Sequence, residues 1–158
     1  MTVTESLLPK LSDWLPAGAG RHSWAAAFPA EGWTVRIAAD KADTLSCLVW
    51  ELNLSRTSEP PAGLTLKSWA STIAERVHGL MEPLKVYEVD ETRGEAILRS
   101  TPPAKQGEAL AYYEVTLSGL ASATVRRFTA SRNASGRNQT AFALTHEVLA
   151  KLAGDLAG

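Results

Sequence analysis

Side-chain chemistry needs reactive groups of matching type held within reach of one another, and this sequence offers few. Its three histidines, His22, His78 and His146, lie far apart and in no metal-binding spacing, so a zinc or iron site would need three separate segments to converge. A serine hydrolase elbow, G-x-S-x-G, is missing, as is the G-x-x-x-x-G-K-[ST] loop that cradles phosphates. The Gly-x-Gly at Ala17–Gly20 follows no strand and reads as a flexible connector rather than a nucleotide loop. Cys47 is alone, which excludes an intramolecular disulfide and a cysteine-rich zinc site; with nothing nearby to depress its pKa, it reads as a small hydrophobe in a strand. Glu88 and Asp90 share a strand face at i, i+2, but beside Lys85 and Arg93 they read as a solvated hairpin edge. The sequence therefore assigns no catalytic residue, no metal ligand and no cofactor.

Charge is segregated instead. Between Val115 and His146 the chain carries Arg126, Arg127, Arg132 and Arg137 and no carboxylate, whereas Glu82 to Glu95 holds five carboxylates against Lys85 and Arg93. Arg126 and Arg127 are adjacent on an expected strand, so they point to opposite faces and cannot form one patch. The plain reading is pairing with the acidic hairpin or with Glu114, each exposed pair contributing roughly 0.2 to 1 kcal/mol. The functional reading sets one arginine in a concave sheet face beside Tyr112 or Tyr113, where guanidinium and ring hold a small anionic ligand or an acidic peptide. Of the five tryptophans, Trp50 and Trp69 fall on apolar faces and read as core. Trp24 and Trp33 flank the turn at Pro29 and have two readings, core packing or a part-exposed ring that serves a ligand or protein contact.

Composition sets the class. At 158 residues, 45% apolar, 21% charged and a net charge of −1, the chain is sized for one folded domain and has no global field to draw it onto nucleic acid. No nucleic-acid partner is expected. No stretch approaches the ~20 apolar residues of a membrane span, and the N-terminus lacks a basic region leading into an apolar run. These features predict a cytoplasmic protein, and the Asn-x-Ser/Thr triplets at Asn53, Asn133 and Asn138 are then chance matches.

The elements that must position these residues follow from periodicity. Leu7, Leu8, Leu11 and Trp14 line one face of a helix over Val3 to Trp14, stopped by Pro16 and the Gly-rich connector that ends near residue 21. His22 to Phe28 and Trp33 to Ile37 read as strands, as does Leu45 to Leu54, with Leu48, Trp50, Leu52 and Leu54 on one side. Thr65 caps a helix over Leu66 to Leu80, with His78 facing solvent. Val86–Val89 and Glu95–Ser100 form a hairpin, Thr101–Gly107 a break, and Ala109–Leu117 and Ala123–Arg132 two further strands before the loop Asn133–Asn138. The chain closes with Phe142 to Leu156, where Thr145 is the N-cap of a helix whose stripe is Val148, Leu149, Leu152 and Leu156. Short turns between strands predict one α+β domain: a mostly antiparallel sheet of about six or seven strands with two or three helices.

The segments FPAEGWTVRI, LSCLVWELNL, LTLKSWASTIAERV, EALAYYEVTLSG, ATVRRFTASR and TAFALTHEVLAKLAGDL resemble, in order and in a proline-x-glycine-tryptophan-like turn between the first strands, the Mog1/PsbP-like α/β/α sandwiches of the PsbP and DcrB type. The likeness covers residues 22 to 156; the N-terminal helix and the hairpin at Val86–Ser100 depart from it. It implies a binding or assembly-factor role, and since that group shares no catalytic residues, none is carried over. The alternation of helix and antiparallel strand is also similar to the small type III secretion chaperones, which act as dimers but are more acidic. The expectation is a non-enzymatic interaction module with an unknown protein partner, or a homodimer. The competing class is a binder or enzyme for a small anionic ligand, with a pocket between sheet and helix.

Overall fold

The computed structural model describes every residue except Arg132 and Ala134, and Gln106 only in its backbone. The elements are α1 (Val3–Asp13), β1 (His22–Phe28), β2 (Trp33–Ala42), β3 (Ser46–Arg56), α2 (Leu66–Arg76), β4 (Leu84–Asp90), β5 (Glu95–Ser100), β6 (Ala104–Gln106), β7 (Ala109–Ser118), β8 (Ser122–Ser131), β9 (Asn138–Thr140), β10 (Phe142–Thr145) and α3 (His146–Ala157). The class is α+β, as expected, with every strand pair antiparallel.

The main path through the sheet is β1-β2-β3-β8-β7-β5-β4. The chain lays down β1 to β3, crosses through α2 to the far edge, and works back until β8 meets β3. Those two central strands pair only over Leu52–Ser55 and Ser122–Val125. Beyond that, β9 takes the free flank of β8 and β10 the free flank of β3. Thr145 caps α3 as expected, and the segment just before the cap, Phe142–Thr145, pairs as a strand that periodicity had not assigned; its alternating burial, Phe142 and Leu144 in, Ala143 and Thr145 out, suits a sheet.

One sheet face carries the core. Val35, Ile37, Leu52, Leu54, Leu98, Val115, Leu117, Ala123 and Val125 cluster there with Leu7 and Leu11 of α1, Trp69 and Ile73 of α2, and Leu149, Leu152 and Leu156 of α3. Each fully buried leucine contributes roughly 1.5–3 kcal/mol of apolar burial. Thr65 closes a capping box with Ser68, and Trp69 Nε1 donates to the Leu156 carbonyl at 2.9 Å, tying α2 to α3. Helix α2 stops at Arg76, four residues before the expected end, with Val77 as its C-cap. Helices α1 and α3 come close enough at Gly154 that a Cβ there would overlap the Thr4 side chain.

Strand β3 differs from expectation in its parity. Cys47 and Val49 are buried, then Leu52 and Leu54, because the pairing with β2 slips between Ala38 and Ala39, where Glu51 and Val49 are the successive partners and Trp50 is the extra residue. The bulge turns Trp50 out of the core, with the Arg21 guanidinium 3.7 Å from its ring centre, which corrects the reading of Trp50 as a core residue.

Candidate interaction surface

The alternation of β8 sends Arg126 to the uncovered sheet face and Arg127 to the helix-covered one. On the uncovered face the registers align Arg126, Glu114 and Arg99 in one row across β8, β7 and β5, and the ion pair of Arg126 with Glu51 extends it to β3, so charge alternates from strand to strand. Arg126 binds Glu51 at 2.6 Å. Glu114 is taken by Arg99 at 2.9 Å and by Arg137, whose two Nη atoms reach its carboxylate at 2.6 and 3.2 Å. Arg137 comes from the loop before β9, lies 3.7 Å above the Phe128 ring and donates to the Tyr112 hydroxyl at 3.1 Å. Arg132 falls outside the described residues. Burial pushes the Glu114 carboxyl up, but hydrogen bonds from Arg137 and Arg99 outweigh it and hold the group below the usual carboxylate range. The hydrogen bond to Glu114 raises Arg137 in turn.

Arg127 is sealed on the other side. Its guanidinium lies 3.2 Å from Glu82 Oε1 and 4.2 Å from the Tyr113 ring centre, with both charged side chains under a tenth exposed. Ser100 Oγ donates to the same Glu82 oxygen at 2.9 Å and accepts the Tyr113 backbone N–H at 2.8 Å. Phe142 meets the Tyr113 ring edge-on at 5.2 Å. Burial raises the Tyr113 hydroxyl pKa. Arg127 Nη2 and Glu82 Oε2 have no hydrogen-bond partner among the described residues. Arg127 and Tyr113 therefore stand together, but neutralised and under the helices, whereas Arg126 and Tyr112 lie on the uncovered face.

Trp33 is buried 6.1 Å from Trp69, with Arg56 stacked 4.3 Å above it. Trp24 is half-buried on the core side, 6.1 Å from Trp14. The rings on the uncovered side are others: Trp50 under Arg21, and Tyr87, 62% exposed, under Arg99 at 4.1 Å. At the β1 end the same face dips into an open hollow of about 350 Å³ lined by Ser23, Ala25, Arg36, Ala38 and Glu51, with Trp24 and Ile37 also contributing to its lining.

Among the described residues no group of three His, Cys, Asp or Glu side chains could hold a metal ion. His22 sits 3.2 Å from the Gly18 carbonyl, His78 is exposed beyond α2, and His146 is buried at the start of α3. Burial, with Asp43 adding to it, pushes the Cys47 thiol up to about 11. Among the described residues no helix is long and apolar enough to cross a membrane.

Sequence reasoning singled out neither Arg99 nor Arg21 and left Arg137 in a loop. An arginine facing a carboxylate or ring on the next strand is a usable signal only once the strand register is known. The chain matches no protein-family model, no curated protein and no solved structure.

Proposed function

We propose that this chain is a non-enzymatic protein-binding module whose partner surface is the uncovered face of the sheet. The observation that carries this reading is the make-up of that face: Trp50, Tyr87 and Tyr112 interleaved with Arg21, Arg99, Arg126 and Arg137, the arginines held over rings and carboxylates. Tyr, Trp and Arg are the residues enriched at interface hot spots. A side chain already fixed by its neighbours loses less freedom on binding. The competing pocket for a small anion draws less support, because Arg127 is neutralised by Glu82 and an incoming anion would have to displace that carboxylate. The resemblance in element order to the Mog1/PsbP-like group, which shares no catalytic residues, agrees with a binding role.

Substitution separates the faces. Thr116→Arg and Thr124→Arg each place a long cation on the uncovered face, and Lys67→Ala alters the exposed side of α2. Affinity-tagged chain expressed in its native host should retain a discrete partner that both arginine variants lose and Lys67→Ala keeps. Retention by all three variants would rule out the face as the partner surface.

A further inference from the structure

The two edges of the sheet are treated differently. At one end β4 is blunted: its pairing slips between Val86 and Glu88, Tyr87 bulges, and Lys85, Glu88 and Asp90 place charges along it. These are the devices that keep a sheet edge from recruiting another strand. At the other end β1 has none of them. His22 to Phe28 pairs with β2 in unbroken register over seven residues, and from Ser23 to Phe28 it holds neither a charge nor a proline. Among the described strands it pairs with β2 alone, so one flank of its backbone is free to add a strand.

The face beside this edge is shaped and charged for a guest. Ser23 and Ala25 of β1 and Ala38 of β2 leave the open hollow, and Arg36, the cross-strand partner of Ala25, stands at its wall. Arg36 is exposed, forms no ion pair among the described residues, and makes one hydrogen bond, to Ser55 Oγ at 3.4 Å. Its row neighbours toward the sheet centre are Asn53 and Thr124, neither of them an acid. The acid that lines the hollow, Glu51, is held by Arg126.

We infer that β1 is a docking edge for an extended acidic segment of a protein partner, which joins the sheet as an added strand and directs alternate carboxylates toward Arg36. Main-chain hydrogen bonds supply the pairing, and the alternate side chains that face the hollow supply selection. A second copy of this chain fits less well: its own β1 brings only Ser23, Ala25 and Ala27 to that face, which would leave the hollow unfilled and Arg36 without a carboxylate. The inference rests on the protein-binding reading above and names one edge and one partner chemistry for it.

Three fluorescent eight-residue peptides test it directly, each alternating threonine with glutamate, glutamine or lysine. The glutamate peptide should bind the whole chain about fivefold more tightly than the glutamine peptide, and the lysine peptide more weakly still. Binding should slow hydrogen exchange within residues 22–28. Ala25→Glu, which sets a carboxylate opposite Arg36 on an exposed position, should remove the preference, and Arg36→Glu should reverse it toward lysine. Equal binding of the three peptides, no binding, or protection elsewhere would overturn the inference. So would a concentration-dependent dimer that protects residues 22–28 without peptide, because the occupant would then be a second copy. Because the peptides bind without the native partner, their failure leaves the Thr116→Arg and Thr124→Arg result standing or falling on its own.

Discussion

Arg126 and Arg127 are neighbours in the chain and occupy opposite sides of the sheet, one bound to Glu51 at 2.6 Å in reach of solvent, the other to Glu82 at 3.2 Å beneath the helices. The same residue type thus does two jobs one residue apart, and the difference should be measurable.

Removing the buried arginine leaves Glu82 as an uncompensated charge in the core. Arg127→Ala should lower the unfolding free energy by about 3–5 kcal/mol, against roughly 0–1 for Arg126→Ala. Urea midpoints of the two variants give the comparison. Replacing both members, Arg127→Met with Glu82→Leu, should cost less than Arg127→Ala alone, since neither charge is then stranded. Equal effects of the two alanine variants would contradict the burial difference.

The Glu114 cluster predicts a pH dependence with a definite sign. Its folded pKa is lowered, so the stabilisation is complete above about 4.5, the ordinary value for glutamate, and fades as pH falls through the lower folded value. The stability gap between the parent chain and Glu114→Gln should be constant at neutral pH and shrink from about pH 4.5 downward. Denaturant midpoints across that range check it. A gap that widens on acidification would contradict the assignment.

Cys47 should be silent in the folded protein. With its thiol raised to about 11 and its side chain buried, iodoacetamide at pH 8 should leave it unmodified over hours and label it fully in denaturant, as read by intact mass. Rapid labelling of folded protein would mean an accessible thiolate.

The contact between Trp69 Nε1 and the Leu156 carbonyl joins α2 to the last turn of α3. Trp69→Phe keeps a ring but removes the donor, leaving a buried acceptor unmatched, and should cost about 1–3 kcal/mol. A calorimetric scan against Ser71→Ala, an exposed position on the same helix, isolates this effect.

Much of the architecture was legible because periodicity is a local property. The spacing of Leu66, Trp69, Ala70 and Ile73 marks α2, and the alternation of Trp33, Val35 and Ile37 marks β2. The bulge at Trp50 was not legible: a period of two has two parities, and Leu48, Trp50, Leu52 and Leu54 satisfy one without showing that Cys47 and Val49 satisfy the other. Short strands β6, β9 and β10 escaped for a related reason, since three or four residues carry too little pattern to separate from turn or helix. The separation of Arg126 from Arg127 could be read from strand geometry alone. Arg137 meeting Glu114 depends on where a loop folds back, and nothing local encodes it.

The uncovered sheet face is best tested by a photo-crosslinking amino acid placed at Thr124, at its centre, and at Lys67 on the exposed side of α2 as control. Irradiated in the native host, the Thr124 chain should give one discrete covalent adduct to a second protein, with Lys67 giving none. Adducts from Lys67 alone, or the same adduct pattern from both positions, would contradict the claim that this face binds the partner.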